Sequence, residues 1–104
     1  MSLSDSAFDI LLALAHGPLH GYAMIQSIEK LRDGRTMQPG LLYTTLAKLL
    51  DEKFIEETAG PSNADKRRRY YKLTQTGVKA MQAQAKVEMA RARKIEAIAG
   101  GASC

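Results

Sequence analysis

A run of positive charge stands beside two tyrosines in the stretch DKRRRYYKLT, at residues 65–74. The basic residues of this cluster are Lys66, Arg67, Arg68, Arg69 and Lys72. Guanidinium groups match phosphate oxygens, and each phosphate contact on a duplex releases condensed counterions. The chemistry that this pattern favours is therefore contact with a nucleic-acid backbone. The alternative reading is a solvated strand edge whose charge prevents aggregation.

Residues that could support catalysis or metal binding are scattered. His16 and His20 are separated by Gly17-Pro18, so they do not share a helical face. No nucleophile motif, phosphate-cradling glycine loop or metal-ligand spacing is present. We therefore expect no enzyme activity, no metal and no cofactor. A group of carboxylates is expected to face away from phosphates, which would repel them. These are Asp51, Glu52, Glu56 and Glu57.

Two helices are predicted before residue 33. The first covers residues 2–16, opens with the capping-box spacing of Ser2 and Asp5, and stops at Gly17-Pro18. The second covers residues 20–32 and ends at Asp33-Gly34. Helical spacing leaves two versions of its apolar face open. These are Tyr22, Ile25, Ile28 and Leu31, or, after a slight rotation, Met24, Ile28 and Leu31.

A third helix is predicted to begin at Pro39, because proline suits the first turn of a helix. Its spacing separates a buried face from an exposed one, with Tyr43 at the edge between them. The predicted buried residues are Leu42, Leu46, Leu49 and Leu50. The predicted exposed residues are Leu41, Thr44, Thr45 and Lys48.

A β-hairpin and a long helix complete the chain. The strands are predicted at residues 54–58 and 67–73, with Tyr71 and Leu73 facing the core. The helix covers residues 74–99, with Thr74 as its cap and Gly100-Gly101 as its end. A seam of small and apolar residues runs along it at alternating steps of three and four, which predicts a dimer interface. Its residues are Val78, Met81, Ala85, Met89, Ala92, Ile95 and Ala99.

This order of elements predicts a mainly α fold with a small β-hairpin, a winged helix-turn-helix. Residues 1–73 are expected to form the DNA-binding domain, residues 74–99 a dimerisation helix and residues 100–104 a flexible tail. The chain has 104 residues, a net charge of +4 and a single cysteine, Cys104. These totals suit one basic domain without disulfides, so we expect a soluble cytoplasmic protein with no membrane contact.

Three stretches together resemble the PadR-type transcriptional regulators. They are ILLALAHGPLHGYAMIQSIE at residues 10–29, PGLLYTTLAKLLDEKFIEE at residues 39–57 and RRRYYKLTQTG at residues 67–77. The resemblance implies a homodimeric repressor that binds a palindromic operator, with a single C-terminal dimer helix as in the short branch of the family. Tyr43 matches a tyrosine that approaches the DNA backbone. The matching recognition positions are Gln38, Pro39, Gly40, Thr44, Thr45 and Lys48.

The chain departs from the family pattern at several points. Lys53 replaces a glycine that commonly follows the recognition helix, and Leu41 replaces a common serine or threonine. Some short relatives bind planar drugs between tryptophans of the dimer helices, and this chain has no tryptophan. A small hydrophobic effector near Tyr22, Met81 or Met89 therefore ranks below plain packing and a plain dimer seam. The alternative function is a winged-helix module whose basic wing binds an acidic protein.

Overall fold

The structure, a computed structural model, describes residues 3–102 of the chain. Its elements in chain order are α1 Asp5–Leu14, β1 Leu19–His20, α2 Gly21–Leu31, α3 Pro39–Asp51, β2 Ile55–Thr58, β3 Tyr70–Leu73 and α4 Gln75–Ala102. Three helices, a small antiparallel sheet and a long last helix form a winged helix-turn-helix with an added C-terminal helix. The predicted fold class is confirmed.

Helix α1 begins at a serine cap two residues later than expected. The Ala7 N–H donates to Ser4 Oγ over 3.1 Å, and Asp5 then lies in the first turn, where its charge suits the helix dipole. The predicted cap, Ser2, lies outside the described residues. The helix ends at Leu14, ahead of the predicted stop at Gly17.

The core lies between the first three helices and the sheet. Its most completely buried large side chains are Ile10, Leu11, Met24, Leu42, Leu46 and Ile55. Burial of each such side chain stabilises the fold by roughly 1.5–3 kcal/mol. Helix α3 buries Leu42, Leu46 and Leu49 as predicted, and Leu50 is half-buried.

Helix α2 is rotated relative to the first of its two predicted faces. Met24 and Ile28 are buried, whereas Tyr22 is 62% exposed and Leu31 is also exposed. The face that includes Tyr22 is therefore wrong, and the rotated face is right except at Leu31. The reason is that Gly21, at the start of the helix, is buried against α3 and turns Tyr22 outwards.

The sheet contains three strands in the order β1-β3-β2. The short strand β1 was not predicted, and it pairs with the first half of β3. Strand β3 begins at Tyr70, so the prediction that a strand already runs from Arg67 is wrong. The cause is Asp65, whose carboxylate accepts from the Arg67 N–H over 2.9 Å and whose carbonyl accepts from the Arg68 N–H over 3.0 Å. These bonds fold the arginines into a turn.

Helix α3 is capped just after its end, at Lys53, in spite of the missing glycine. Lys53 adopts a left-handed backbone with φ of 62°, which costs a non-glycine residue about 1 kcal/mol. Its N–H donates to the Leu50 carbonyl and the Phe54 N–H donates to the Leu49 carbonyl, each over 3.0 Å. This pair of bonds is a Schellman cap, and the Phe54 side chain packs against the core cluster that contains Leu49.

Helix α4 is held at its start and extends away from the core at its end. Thr74 accepts from the Gly77 N–H over 3.0 Å, as predicted for a cap, and donates to the Lys53 carbonyl over 2.6 Å. The helix continues to Ala102, so the prediction that Gly100-Gly101 ends it is wrong. Residues 86–100 are exposed on every side. Cys104 lies outside the described residues.

Gly77 allows the first turn of α4 to approach the backbone of Phe54. A Cβ atom at this position would overlap the Phe54 carbonyl. We predict that Gly77→Ala lowers the free energy of unfolding by about 2 kcal/mol, because α4 must shift away. Urea denaturation followed by circular dichroism, at one fixed protein concentration, measures this change.

Gly100→Ala is the matched control for Gly77→Ala. It lies in the same helix, but an added Cβ would meet no atom within 4 Å. We expect a neutral or slightly stabilising effect, since alanine favours helix more than glycine does. Equal stability of the two variants would contradict the close approach of α4 to Phe54.

Candidate nucleic-acid interface

The exposed face of α3 carries most of the predicted recognition residues. Those with exposed side chains or backbone are Gln38, Pro39, Gly40, Tyr43, Thr44 and Lys48. Thr45 is only 6% exposed, and its hydroxyl donates to the Leu41 carbonyl over 2.7 Å. The prediction that Thr45 lies on the exposed face is wrong. A helix advances about 100° per residue, which turns this position towards the buried leucines.

The middle of the exposed face consists of short side chains. Gly40, Thr44 and Ala47 follow one another at helical spacing and are all exposed. The Thr44 hydroxyl donates to the Gly40 carbonyl over 2.9 Å, so it offers its methyl group and an oxygen lone pair to the outside. Ala47 was not singled out from the sequence, although its spacing from Tyr43 and Thr44 places it there. Tyr43 and Lys48 flank this uncharged strip.

The wing carries its positive charge on a loop rather than on a strand. Lys66, Arg67, Arg68 and Arg69 all have exposed side chains in the turn before β3. Asp65 organises the loop by pairing with the Arg67 guanidinium over 3.3 Å. The hydrogen bonds from the Arg67 backbone and side chain lower the pKa of the Asp65 carboxyl. The loop is thus ordered by a carboxylate that remains ionised.

The carboxylates of β2 lie beside cations of the wing. Glu57 Oε1 is 3.7 Å from Arg69 Nε, and Glu56 Oε1 is 3.5 Å from Lys72 Nζ. Antiparallel pairing brings them together, because Glu56 stands opposite Lys72 in the register. Exposed pairs of this kind contribute little to stability, so a phosphate can replace them.

A cleft of about 350 Å³ separates the start of α2, the side of α3 and the arginine loop. It is lined by His20, Gly21, Tyr22, Tyr43, Arg67, Arg68, Arg69 and Tyr71. A Cβ atom at Gly21 would lie 2.8 Å from the Tyr43 hydroxyl, so the glycine allows this tyrosine to rest against α2. The cleft therefore joins the flank of the α3 face to the wing.

From the sequence, His20 is considered as a metal ligand, whereas the structure places it in this cleft. It caps α2 by accepting the Ala23 N–H at Nδ1 over 3.2 Å, and its Nε2 lies 3.0 Å from Arg68 Nη1. Its ring packs edge-on against Tyr70, with centroids 5.3 Å apart. Burial, and then the charge of Arg68, lower the pKa of His20. Its position directly before α2 was the available signal, because a cap can be formed by a side chain there.

The predicted dimer seam on α4 divides into two halves. Val78, Met81 and Ala85 are half-buried within the protomer, and Met81 packs against the core. Met89, Ala92 and Ile95 are exposed beyond it. Val87 and Ile98, which lie off the predicted seam, are exposed as well. The distal half of α4 thus presents an apolar surface that its own protomer does not cover.

Residues 3–102 contain neither a cluster of metal ligands nor a membrane-spanning helix. No three His, Cys, Asp or Glu side chains in this range converge as metal ligands would. None of the helices described is both long and apolar enough to cross a lipid bilayer.

Comparison with known proteins places the chain among relatives of the same fold. A PadR-like regulator from Bacillus cereus is 21% identical, with a TM-score of 0.77 and 88% of each chain covered. A transcriptional regulator from Clostridium thermocellum is 22% identical, with a TM-score of 0.75, over 90% of this chain and 95% of that one. Bacillus subtilis PadR, solved in complex with operator DNA, is 27% identical, with a TM-score of 0.63, over 74% of this chain and 44% of that one.

Sequence comparison gives the family. An uncharacterized 37.1 kDa protein in transposon TN4556 of Streptomyces fradiae is 36% identical over 85 residues, which are 82% of this chain and 23% of that protein. The chain therefore spans about a quarter of the length of this relative. The sequence profile of the transcriptional regulator PadR-like family matches residues 10–83. On this match, the chain belongs to the PadR-like family of transcriptional regulators.

Proposed function

We propose that this chain binds double-stranded operator DNA as a homodimer and represses transcription. The observation that carries the proposal is the uncharged strip of Gly40, Thr44 and Ala47 on α3, flanked by Tyr43 and Lys48 and adjoined by the arginine loop. Such a helix can enter the major groove closely while the flanks meet phosphates. The operator complex of Bacillus subtilis PadR, a relative of the same family, supports this assignment.

The proposed contacts divide into base reading and backbone binding. At the start of α3, the Gln38 amide can pair with an adenine edge, and Pro39 and Gly40 allow close approach. Thr44 presents a methyl group and an acceptor to the bases, whereas the buried Thr45 only holds the helix. Phosphates are bound by the residues at the flanks and on the wing. These are Tyr43, Lys48, Lys66, Arg67, Arg68 and Arg69.

Homodimerisation through α4 supplies the proposed symmetry. The exposed apolar residues of its distal half, Met89, Ala92 and Ile95, would pack against a second copy. A two-fold dimer presents two α3 helices about one duplex turn apart, roughly 34 Å, which matches a palindromic site. Occupation of that site would exclude the transcription machinery.

A small hydrophobic effector is a secondary part of the proposal. Met89 is exposed on α4, and methionine repacks readily around different ligands. A ligand held between two α4 helices would release the operator only if it bound better to a dimer with a different spacing of its α3 helices. A plain dimer seam remains the preferred role of these methionines.

A protein–protein module is the competing function. The basic wing would then bind an acidic partner protein in place of phosphates. A titration of labelled duplex DNA of mixed sequence at low salt separates the two functions, because the electrostatic part of DNA binding is strongest there. Absence of binding under these conditions would favour the acidic partner.

We predict that Arg67→Ala combined with Arg68→Ala weakens binding to every duplex. The slope of log affinity against log salt concentration should fall by about two, one for each lost phosphate contact. Fluorescence anisotropy at several salt concentrations measures the slope. Arg91→Ala with Arg93→Ala on α4 removes equal charge away from the wing and should leave the slope unchanged. An unaltered slope in the wing variant would argue against its contact with phosphates.

We predict that Gly21→Ala weakens DNA binding without unfolding the protein. The added Cβ displaces the Tyr43 hydroxyl, which is the free end of an exposed side chain and can move easily. The affinity should fall about ten- to a hundredfold, the effect of one hydrogen bond to a charged group. Tyr43→Phe should cause the same loss, and the double variant no further loss. Additive losses would show that Gly21 does not act through Tyr43.

We predict that Met89→Glu with Ile95→Glu makes the protein monomeric. Two carboxylates would have to be buried in the interface, so the dimer dissociation constant should rise at least about a hundredfold. Sedimentation equilibrium measures this constant. Ala83→Glu with Ala90→Glu adds the same charge on the opposite side of α4 and should leave the dimer intact. A wild-type protein that is monomeric at micromolar concentration would refute the dimer.

A further inference from the structure

The His20 ring lies between two groups that can only donate hydrogen bonds. The Ala23 N–H lies 3.2 Å from Nδ1, and the Arg68 guanidinium lies 3.0 Å from Nε2. Neither a backbone N–H nor an arginine side chain can accept. A neutral imidazole has one donor and one acceptor nitrogen, so it can satisfy only one of these two neighbours.

The cap on α2 decides which nitrogen accepts. Ala23 donates to Nδ1 and satisfies one of the otherwise unpaired N–H groups of the first turn. Because the cap requires an acceptor at Nδ1, it favours the neutral tautomer with the proton on Nε2. This N–H points at Arg68, which leaves two donors facing each other where an acceptor is required.

The surroundings of this contact are rich in donors. Arg67, Arg69, Tyr22 and Tyr43 line the same cleft, and each of these residues carries an N–H or O–H donor. Asp65 pairs with Arg67 and Glu57 lies beside Arg69, but both pairs are exposed, and Arg68 has no carboxylate partner among the ion pairs described for residues 3–102. The ligand that suits this cleft is an anion whose oxygen atoms accept hydrogen bonds from several directions.

We propose that this cleft binds one phosphodiester group of the DNA backbone, with neutral His20 donating from Nε2–H and Arg68 donating from its guanidinium to the phosphate oxygens. This inference rests on the proposed function and adds a residue and a protonation state to it. DNA is the favoured source of the anion because Tyr43 connects the cleft to the exposed face of α3.

The neutral state of His20 follows from the same geometry. Protonation would add a hydrogen to Nδ1 and break the bond from Ala23, so the cap opposes it. Burial and the neighbouring Arg68 also lower the pKa of His20, which keeps the ring neutral near physiological pH. Arg68 of the arginine loop presents its positive charge to the ring, and α2 presents uncharged backbone N–H groups.

A salt titration with matched variants tests the proposal. His20→Asn keeps a side-chain oxygen that caps α2 but removes the Nε2–H donor. We expect it to bind mixed-sequence duplex DNA about tenfold more weakly, with an unchanged slope of log affinity against log salt, because a neutral donor displaces no counterion. Arg68→Ala should instead lower the slope by about one.

The possible results of this titration are distinct. Wild-type affinity in His20→Asn would overturn the proposal, and so would a fall of about one in its slope, which would mean that His20 binds as a cation. Failure of the wild-type protein to bind any duplex would overturn the proposed function and this site together. Circular dichroism of His20→Asn should match the wild type, since the cap is retained.

Nitrogen-15 NMR of the two histidines, His16 and His20, gives a second readout. We expect His20 to show the Nε2–H tautomer in the free protein, and duplex DNA to shift its Nε2 resonance more than its Nδ1 resonance. A proton on Nδ1 in the free protein would overturn the proposal. An equal shift caused by the same concentration of inorganic phosphate alone would also overturn it, since the cleft would then bind a free oxyanion rather than DNA.

Discussion

The close packing of α4 against the Phe54 carbonyl is the constraint on which the rest of the structure depends. Gly77 permits it, and Thr74 reinforces it by bonding to the Lys53 carbonyl and to the first turn of α4. The end of α3, the start of β2 and the start of α4 therefore meet in one junction. Because these bonds involve backbone atoms of all three segments, α3 cannot move far relative to α4, the helix that we assign to dimerisation.

In the proposed complex with DNA, the α3 face and the arginine loop would have different roles. The strip on α3 is short and uncharged, so it is suited to reading the shape and methyl groups of bases. The positive charge lies in a loop held by Asp65 and in a cleft beside Tyr43, where we propose that it contacts the DNA backbone. Affinity and sequence preference are thus assigned to different elements, and the loop can adjust to the groove without disturbing α3.

Periodic features of the sequence predicted the helices and their buried faces well. Features that depend on contacts between particular residues could not be predicted from spacing. The leucines of α3 and the cap at Thr74 follow from spacing and residue type. Strand β1 has only two residues, too few for any period. The burial of Tyr22 was mispredicted because a tertiary contact at Gly21 sets the rotation of α2. Lys53 adopts a glycine-like backbone because the Schellman bonds outweigh its strain. The role of His20 depends on Arg68, 48 residues away.

The bare distal half of α4 has a consequence for how such regulators diverge. If two copies dimerise along α4, the length of this helix sets the distance and the relative rotation of the two α3 helices. Insertion of one residue into α4 ahead of the dimer seam would shift each α3 helix by about 1.5 Å along the α4 axis and rotate it about that axis by about 100°. Both copies would carry the insertion, so the angle between the two α3 helices would change in large steps, and most single insertions would turn them away from the duplex. The operator sequence and the length of α4 must therefore evolve together.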